Sequence, residues 1–469
     1  MKRLQTILSD QIGETKVILY SIFHARALNR SFSIPFCRHG NLAWSSSLFI
    51  VMACAFSALS FAADPEKNDP LNVRDYGAVA DGTTDNTAAF QKALDAAAAS
   101  KLTEVIVPAG RYSFSGALRF PKEVTLRGTF DYAPSHAGVR DKSDEKPVYG
   151  SVLLVRGDAG NDAAPAFIQL QTNSVIQGFC IYYPDQKEDA PEPIKYPYAI
   201  AMRGNNPAVI DCELLNPYNG IDATQNQRAL IRNVHGQPLH IGIYVNDIYD
   251  IGRIENVHWN PWWSLNTPVY NWQMEHGVGF LFGRTDWHYV LNTFCFGYHI
   301  GYHFIETKSG VTNGNFLGIG ADNCQTAVVV EGSAPFGILI TNGEFVSFNG
   351  PDPTMVRVEK TNTGVVRFSN CAFWGPCNRN AVIDGNGTVG FSDCTFVQWG
   401  HRGQEVHAIE ALGGSLLIRG CEFREDKPQV WLKEGVQRAV VTDNLIRGDA
   451  RIKNEARGVV VIEDNAAAP

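Results

Sequence analysis

One short pattern governs this chain: an apolar residue, any residue, then Asn, Asp, Gly or Cys. It starts at Leu126, Arg127, Gly128 and returns ending at Gly178, Cys212, Asn233, Asn256, Asn292, Asn313, Asn342, Asn370, Asp393, Gly420, Asp443 and Asp464, a mean spacing of 28 residues. A second apolar column, which includes Ile200, Ile221, Ile243, Phe280, Val328, Val356, Ile409 and Val430, runs between these positions. Each repeat therefore reads as two short strands and two turns. Such strands cannot bury a face alone but can do so stacked on copies of themselves. The implied fold class is all-β, a right-handed single-stranded parallel β-helix, with no second globular core and no helix beyond Cys212.

Asn, Asp and Gly at the strand ends suit turns with a left-handed backbone. The middle residues of the pattern are mostly polar and are expected to face solvent. Among them Asp211, Arg232 and Glu255 read as a cross-strand ladder of alternating charge. Phe373, Phe396 and Phe423 fall at equivalent places in successive coils and predict an internal aromatic stack. Cys371, Cys394 and Cys421 follow their pattern residues directly, which predicts a column of mostly reduced thiols. No close Cys-x-x-Cys pairing suggests a metal site.

Residues 1–62 read as a leader. Leu48 to Leu59 carries only apolar and small residues, too short to span a bilayer, which takes about 20 residues, but suited to a signal-peptide core. Ser60 and Ala62 put small residues where signal peptidase reads, so the mature chain is expected to begin at Ala63 and to be secreted or periplasmic, without stable membrane insertion. The whole chain has 40 Lys plus Arg against 48 Asp plus Glu, a net charge of −8. The leader holds six of the basic and two of the acidic residues, so the mature domain, 63–469, stands at −12. That sign argues against a nucleic-acid partner.

From Leu71 the chain reads LNVRDYGAVADGTTDNTAAFQKALDAA, then VIVPAGRYSFSGAL from Val105 and EVTLRG from Glu123. This segment resembles the opening module of the pectate-lyase-like β-helix superfamily that includes rhamnogalacturonase and epimerase-type proteins. The resemblance implies a helix capped by Asp85, with Phe90, Leu94 and Ala97 plugging the open end of the solenoid. It also implies a secreted protein acting on polysaccharides, since members are mostly hydrolases or lyases, with some epimerases and phage tailspikes. The polygalacturonase-type hydrolases carry Asn-Thr-Asp, Asp-Asp, Gly-His-Gly and Arg-Ile-Lys in order; here only Arg451, Ile452, Lys453 appears.

Connection lengths point to a groove. Residues from about Asp131 to Ala166, Tyr182 to Tyr198 and Asn260 to Gly279 are long insertions, all expected at one corner of the coil, with short turns between them. The third insertion and its flanks concentrate Trp259, Trp262, Trp263, Trp272 and Trp287, whose rings would stack on sugar faces or else pack the loop onto the coil. Candidate catalytic groups are Glu213, Asp222, His235 and His240 on the floor, with Glu275, Arg284 and Asp286 from the wall; His258 and His276 stand beside them. A hydrolase needs two carboxyl groups flanking the scissile bond, here Glu275 or Asp286 facing Asp222 or Glu213. A lyase needs a base and a cation, with Arg203, Arg228, Arg284 or Ca²⁺ to neutralise a uronate. The expected activity is glycoside hydrolysis of a polysaccharide or oligosaccharide with no cofactor. The alternatives are β-elimination, with Ca²⁺ as its possible cofactor, and a non-catalytic carbohydrate-binding or structural role.

Overall fold

The left-handed residues are what turn the repeat into a coil. In the computed structural model, which describes residues 69–136, 149–403 and 406–468, Asp211, Asn233, Asn256, Asn292, Asn342, Asn370, Asp393, Asp443 and Asp464 all have φ between 49° and 58°. The leader and its cleavage site lie outside the described residues. At most of these positions one strand ends and another begins beyond the bend. Ala208–Leu214, Leu230–Gly236 and Arg253–Trp259 run straight through the bend.

Each coil therefore has three strands, where the sequence pattern implied two. Sheet A stacks the strands before the bend, from Leu71–Asn72 and Glu104–Ile106 to Val459–Glu463. Sheet B stacks the strands after it, for example Cys180 on Glu213, Glu213 on His235, His235 on His258 and His258 on Phe294. Sheet C is the second apolar column, in which Ile200, Ile221, Ile243, Phe280 and Tyr302 are in register. The pairing is parallel throughout, as a solenoid requires. Sheet B escaped the sequence reading because several of its strands are only two or three residues long.

Register corrects the repeat at two positions. Ile210 pairs Arg232 and Cys212 pairs Val234, so the marker residue is Asp211, not Cys212. The marker after Asn292 is Gly318 (φ 64°) and not Asn313. The same shift removes the charge ladder, because Arg232 pairs Glu255 while Asp211 sits one place on. What stacks instead is amide on carboxylate: Gln177 Nε2 and Asn233 Nδ2 donate to Asp211 at 2.9 and 2.8 Å, and Asn256 Nδ2 donates to Asn233 Oδ1 at 2.9 Å. These bonds satisfy side chains that must already bend the backbone, one ladder serving both purposes.

Inside the coil, Phe373, Phe396 and Phe423 stack as expected, with centroids 5.1 and 4.9 Å apart and planes within 18°. Phe345 extends the column at 5.4 Å. Cys371, Cys394 and Cys421 are buried at equivalent positions, and the Cys394 and Cys421 thiols each donate to a carbonyl of the coil before at 3.5 Å. The helix α1, Thr87–Ala99, buries Phe90, Ala93, Leu94 and Ala97 and sets the Phe90 ring edge-on to Phe114 at 4.9 Å. Asp85 Oδ1 accepts from Thr87 N at 3.0 Å at its start.

A second helix, α2 at Pro268–His276, contradicts the expectation of no helix beyond Cys212. It hangs within the third insertion and leaves the ladder intact, since Ile243 pairs Phe280 across it. The first insertion also differs from expectation. Ser151–Val155 is a sheet B strand inside it, so its first part joins A to B and only residues 156–167 join B to C, as the other two insertions do.

Candidate functional site

The insertions leave sheet B and enter sheet C, and they fold over B. Val152, Leu154, Cys180, Tyr182 and Leu215 on the outer face of B form a second apolar cluster with Leu239, Trp263 and Val269 from the connections. Burying that much apolar surface, at about 25 cal/mol per Å², fixes the connections on B. Sheet C keeps an open outer face.

Along that face, Ala201, Asp222, Tyr244, Leu281, His303, Val329 and Arg357 occupy one row, each paired with the next strand. At about 4.8 Å per strand, the five steps from Asp222 to Arg357 span about 24 Å. One lip is aromatic. Tyr218 and His240 stack at 4.8 Å, Trp272 of α2 lies 5.9 Å from His240, and Trp272 stacks on His276 at 4.5 Å. His240 Nδ1 is 3.1 Å from Asn219 Oδ1 and His299 Nδ1 is 3.0 Å from Gln325 Oε1. Burial holds both imidazoles below the usual histidine range, and His276 nearby lowers each further. Both are therefore neutral bases at pH 7. Burial, then Asp222, pushes the Tyr244 phenol up, and the same two causes raise Tyr198. Arg203 pairs with Asp222.

The far end of the row is a cavity of about 470 Å³ lined by His299, His303, Glu331, Arg357 and Glu359, among others. Glu359 N donates to Val330 O at 2.8 Å, as Glu331 N does to Phe304 O, and Val330 pairs Val358, so the two glutamates are neighbours just past the ends of adjacent strands, which lie about 4.8 Å apart. Their inward predecessors Val330 and Val358 are buried, which turns both carboxylates outward. His303 Nε2 holds Glu331 Oε1 at 2.8 Å.

The structure brings Asp222, His240 and Trp272 to this face and separates the other sequence candidates. Glu213 and His235 lie on sheet B; Glu213 has no exposure and is bonded by His136 N at 2.7 Å. Arg284 and Trp287 lie at the corner joining C to A, where Arg284 covers the Tyr249 ring at 3.8 Å and Trp287 N donates to Asn313 at 2.7 Å; Asp286 sits between them in the chain. Glu213 on sheet B and Asp286 at the corner therefore lie away from the face that carries Asp222, while Glu275 stands exposed on α2 at its lip. Trp259 is fully buried inside the coil and Trp263 is 4% exposed within the outer cluster, so neither is a sugar platform. Trp262 packs on His258 at 5.0 Å over sheet B.

Residues 71–294 match the family described as rhamnogalacturonase A/epimerase, pectate lyase-like. Over that stretch the chain is a pectate-lyase-like β-helix. Over 46 residues the chain is 53% identical to mannuronan C5-epimerase AlgE3 of Azotobacter vinelandii, which is 10% of this chain and 2% of that protein. In structure it is similar to DFA-IIIase from Arthrobacter chlorophenolicus A6 in complex with DFA-III, with a TM-score of 0.51, 12% identity, and 85% and 99% of the two chains covered. It is also similar to the catalytic unit of a GH87 alpha-1,3-glucanase from Streptomyces thermodiastaticus strain HF3-3, with a TM-score of 0.49, 13% identity, and 85% and 69% covered. Identities this low describe a shared fold and assign no residue roles.

Proposed function

We propose that this β-helix is a secreted polysaccharide-active enzyme that lays an extended glycan along the outer face of sheet C and hydrolyses it at Glu331 and Glu359. The observation that carries the reading is the pair of outward carboxylates just past the ends of adjacent strands within one cavity of the open face. Retaining glycosidases hold their two carboxyl groups about 5–5.5 Å apart, a separation within reach of side chains on neighbouring coils about 4.8 Å apart. Glu331, oriented by His303, attacks the anomeric carbon, and Glu359 protonates the leaving oxygen and later activates water. The half-buried rings of His240 and Trp272 support the sugar chain, with the buried Tyr218 stacked beneath His240, and the saccharides named for the relatives agree with a saccharide substrate.

A second reading rests on the middle of the row. Neutral His240 as base, protonated Tyr244 as acid and Arg203 as carboxylate neutraliser are the parts that proton abstraction next to a uronate needs. A screen against neutral and uronate polysaccharides, scoring reducing ends and the ultraviolet absorbance of unsaturated products together, separates the two. Hydrolysis yields reducing ends alone, and Glu331→Gln and Glu359→Gln each lower that rate at least about a hundredfold with an unchanged melting temperature. Unsaturated product, or full activity in both variants, overturns the hydrolase assignment.

A further inference from the structure

A charged group is buried on sheet B where no chemistry has been assigned. Glu213 is completely excluded from solvent on the outer face of the sheet, under the connection that carries His136. A buried carboxylate must be matched by positive charge or lose its own. Its ion-pair partner among the described residues is His136, which gives it both the backbone N–H, at 2.7 Å, and ring Nδ1. On the preceding strand, in register, stands Cys180, also fully buried. The donor atoms of His136, Cys180 and Glu213 all lie within 4.8 Å of one another.

We propose that His136, Cys180 and Glu213 bind one Zn²⁺ ion, which clasps the connection from sheet A to sheet B onto the face of the solenoid. Nitrogen, thiolate and carboxylate are the ligand types that zinc takes, with bonds of about 2.0–2.3 Å. Tetrahedral geometry at those lengths sets donors about 3.3–3.7 Å apart. The widest separation here therefore closes by at most about 1 Å, while His136 and Glu213, now in direct contact, move apart to admit the ion. The ion takes over from His136 the positive charge beside Glu213 in a dry site and takes the thiol as thiolate, releasing its proton. His235 is next to Glu213 in the row.

Co²⁺ is the probe, because a cobalt–thiolate bond gives an ultraviolet charge-transfer band that oxygen and nitrogen ligands do not. The mature chain, purified without a polyhistidine tag and stripped with chelator, is titrated with Co²⁺ and then with Zn²⁺. The expected result is one Co²⁺ per chain with the band, displaced by Zn²⁺, and a higher melting temperature with metal. Cys180→Ser, which keeps the shape of the side chain, loses the band, and Glu213→Gln weakens binding at least tenfold. Absence of stoichiometric binding by the folded wild-type chain overturns the proposal and leaves Glu213 and His136 as an ion pair alone. A band of full strength in Cys180→Ser overturns it as well.

Discussion

His288 makes this solenoid acid-labile at a defined pH. The side chain points into the coil from sheet A, 2% exposed, edge-on to Phe282 at 6.1 Å, and neither ring nitrogen has a hydrogen-bond partner. Burial first, and then the charge of Arg253, lowers its pKa from 6.5 to about 3. A base whose folded pKa lies below its unfolded value binds more protons when unfolded, so stability is intact above pH 6.5 and falls as the pH drops towards 3. At 1.36 kcal/mol per pH unit, the move from pH 7 to pH 5 costs about 2 kcal/mol through this one ring. His288→Phe keeps an apolar ring and removes the titration. Urea unfolding followed by tryptophan fluorescence should show wild type losing about 2 kcal/mol more than the variant between the two pH values. Equal losses would refute the reasoning and mean that the imidazole reaches water or a partner.

Two further substitutions separate packing from binding. Trp259→Ala, inside the coil, should cost about 3–5 kcal/mol in a denaturant melt, whereas Trp272→Ala on the aromatic lip should weaken binding of the glycan found by the screen and move the melting temperature little. At the bend, Asn233→Ala should destabilise by about 1–2 kcal/mol, from left-handed strain plus the lost ladder bonds. Asn233→Gly, which tolerates the backbone, should cost less by the same chemical melt.

The repeat was legible because a coil needs the same device once per turn: a residue that accepts φ near +55°, preceded by alternation. Its register was not, since Ile210-Asp211-Cys212 offers two candidate markers and only pairing with Val234 decides between them. Sheet C was visible as an apolar column, and the outward residue after each member, Asp222 after Ile221 and Tyr244 after Ile243, was a usable signal for the open face. Attention to the tryptophans hid it. Trp259 and Trp262 look alike in sequence, but alternation sends the first into the core and leaves the second outside. Glu331 and Glu359 were missed for a different reason: they lie beyond the insertions, where nothing in connection length draws notice.

What decides which face is open is the chemistry of the two rows. On sheet B the outward residues at the insertion coils are mostly apolar, Val152, Leu154, Cys180, Tyr182 and Leu215, with the buried Glu213 among them held by His136, so a connection that brings Leu239, Trp263 and Val269 gains by covering them. On sheet C the outward residues are Asp222, Tyr244 and His303, and a covering loop would have to desolvate charge and find a partner for each group. The same loops therefore fold towards B and leave C wet. Polar groups on C then rest on a rigid ladder, with the aromatic lip supplied by α2 and by the residues that enter each strand. Activity lost in Glu331→Gln without loss of fold would follow directly from that division, because the carboxylates sit on the solvent side of strands whose stability comes from Val328, Val330, Val356 and Val358 beneath them.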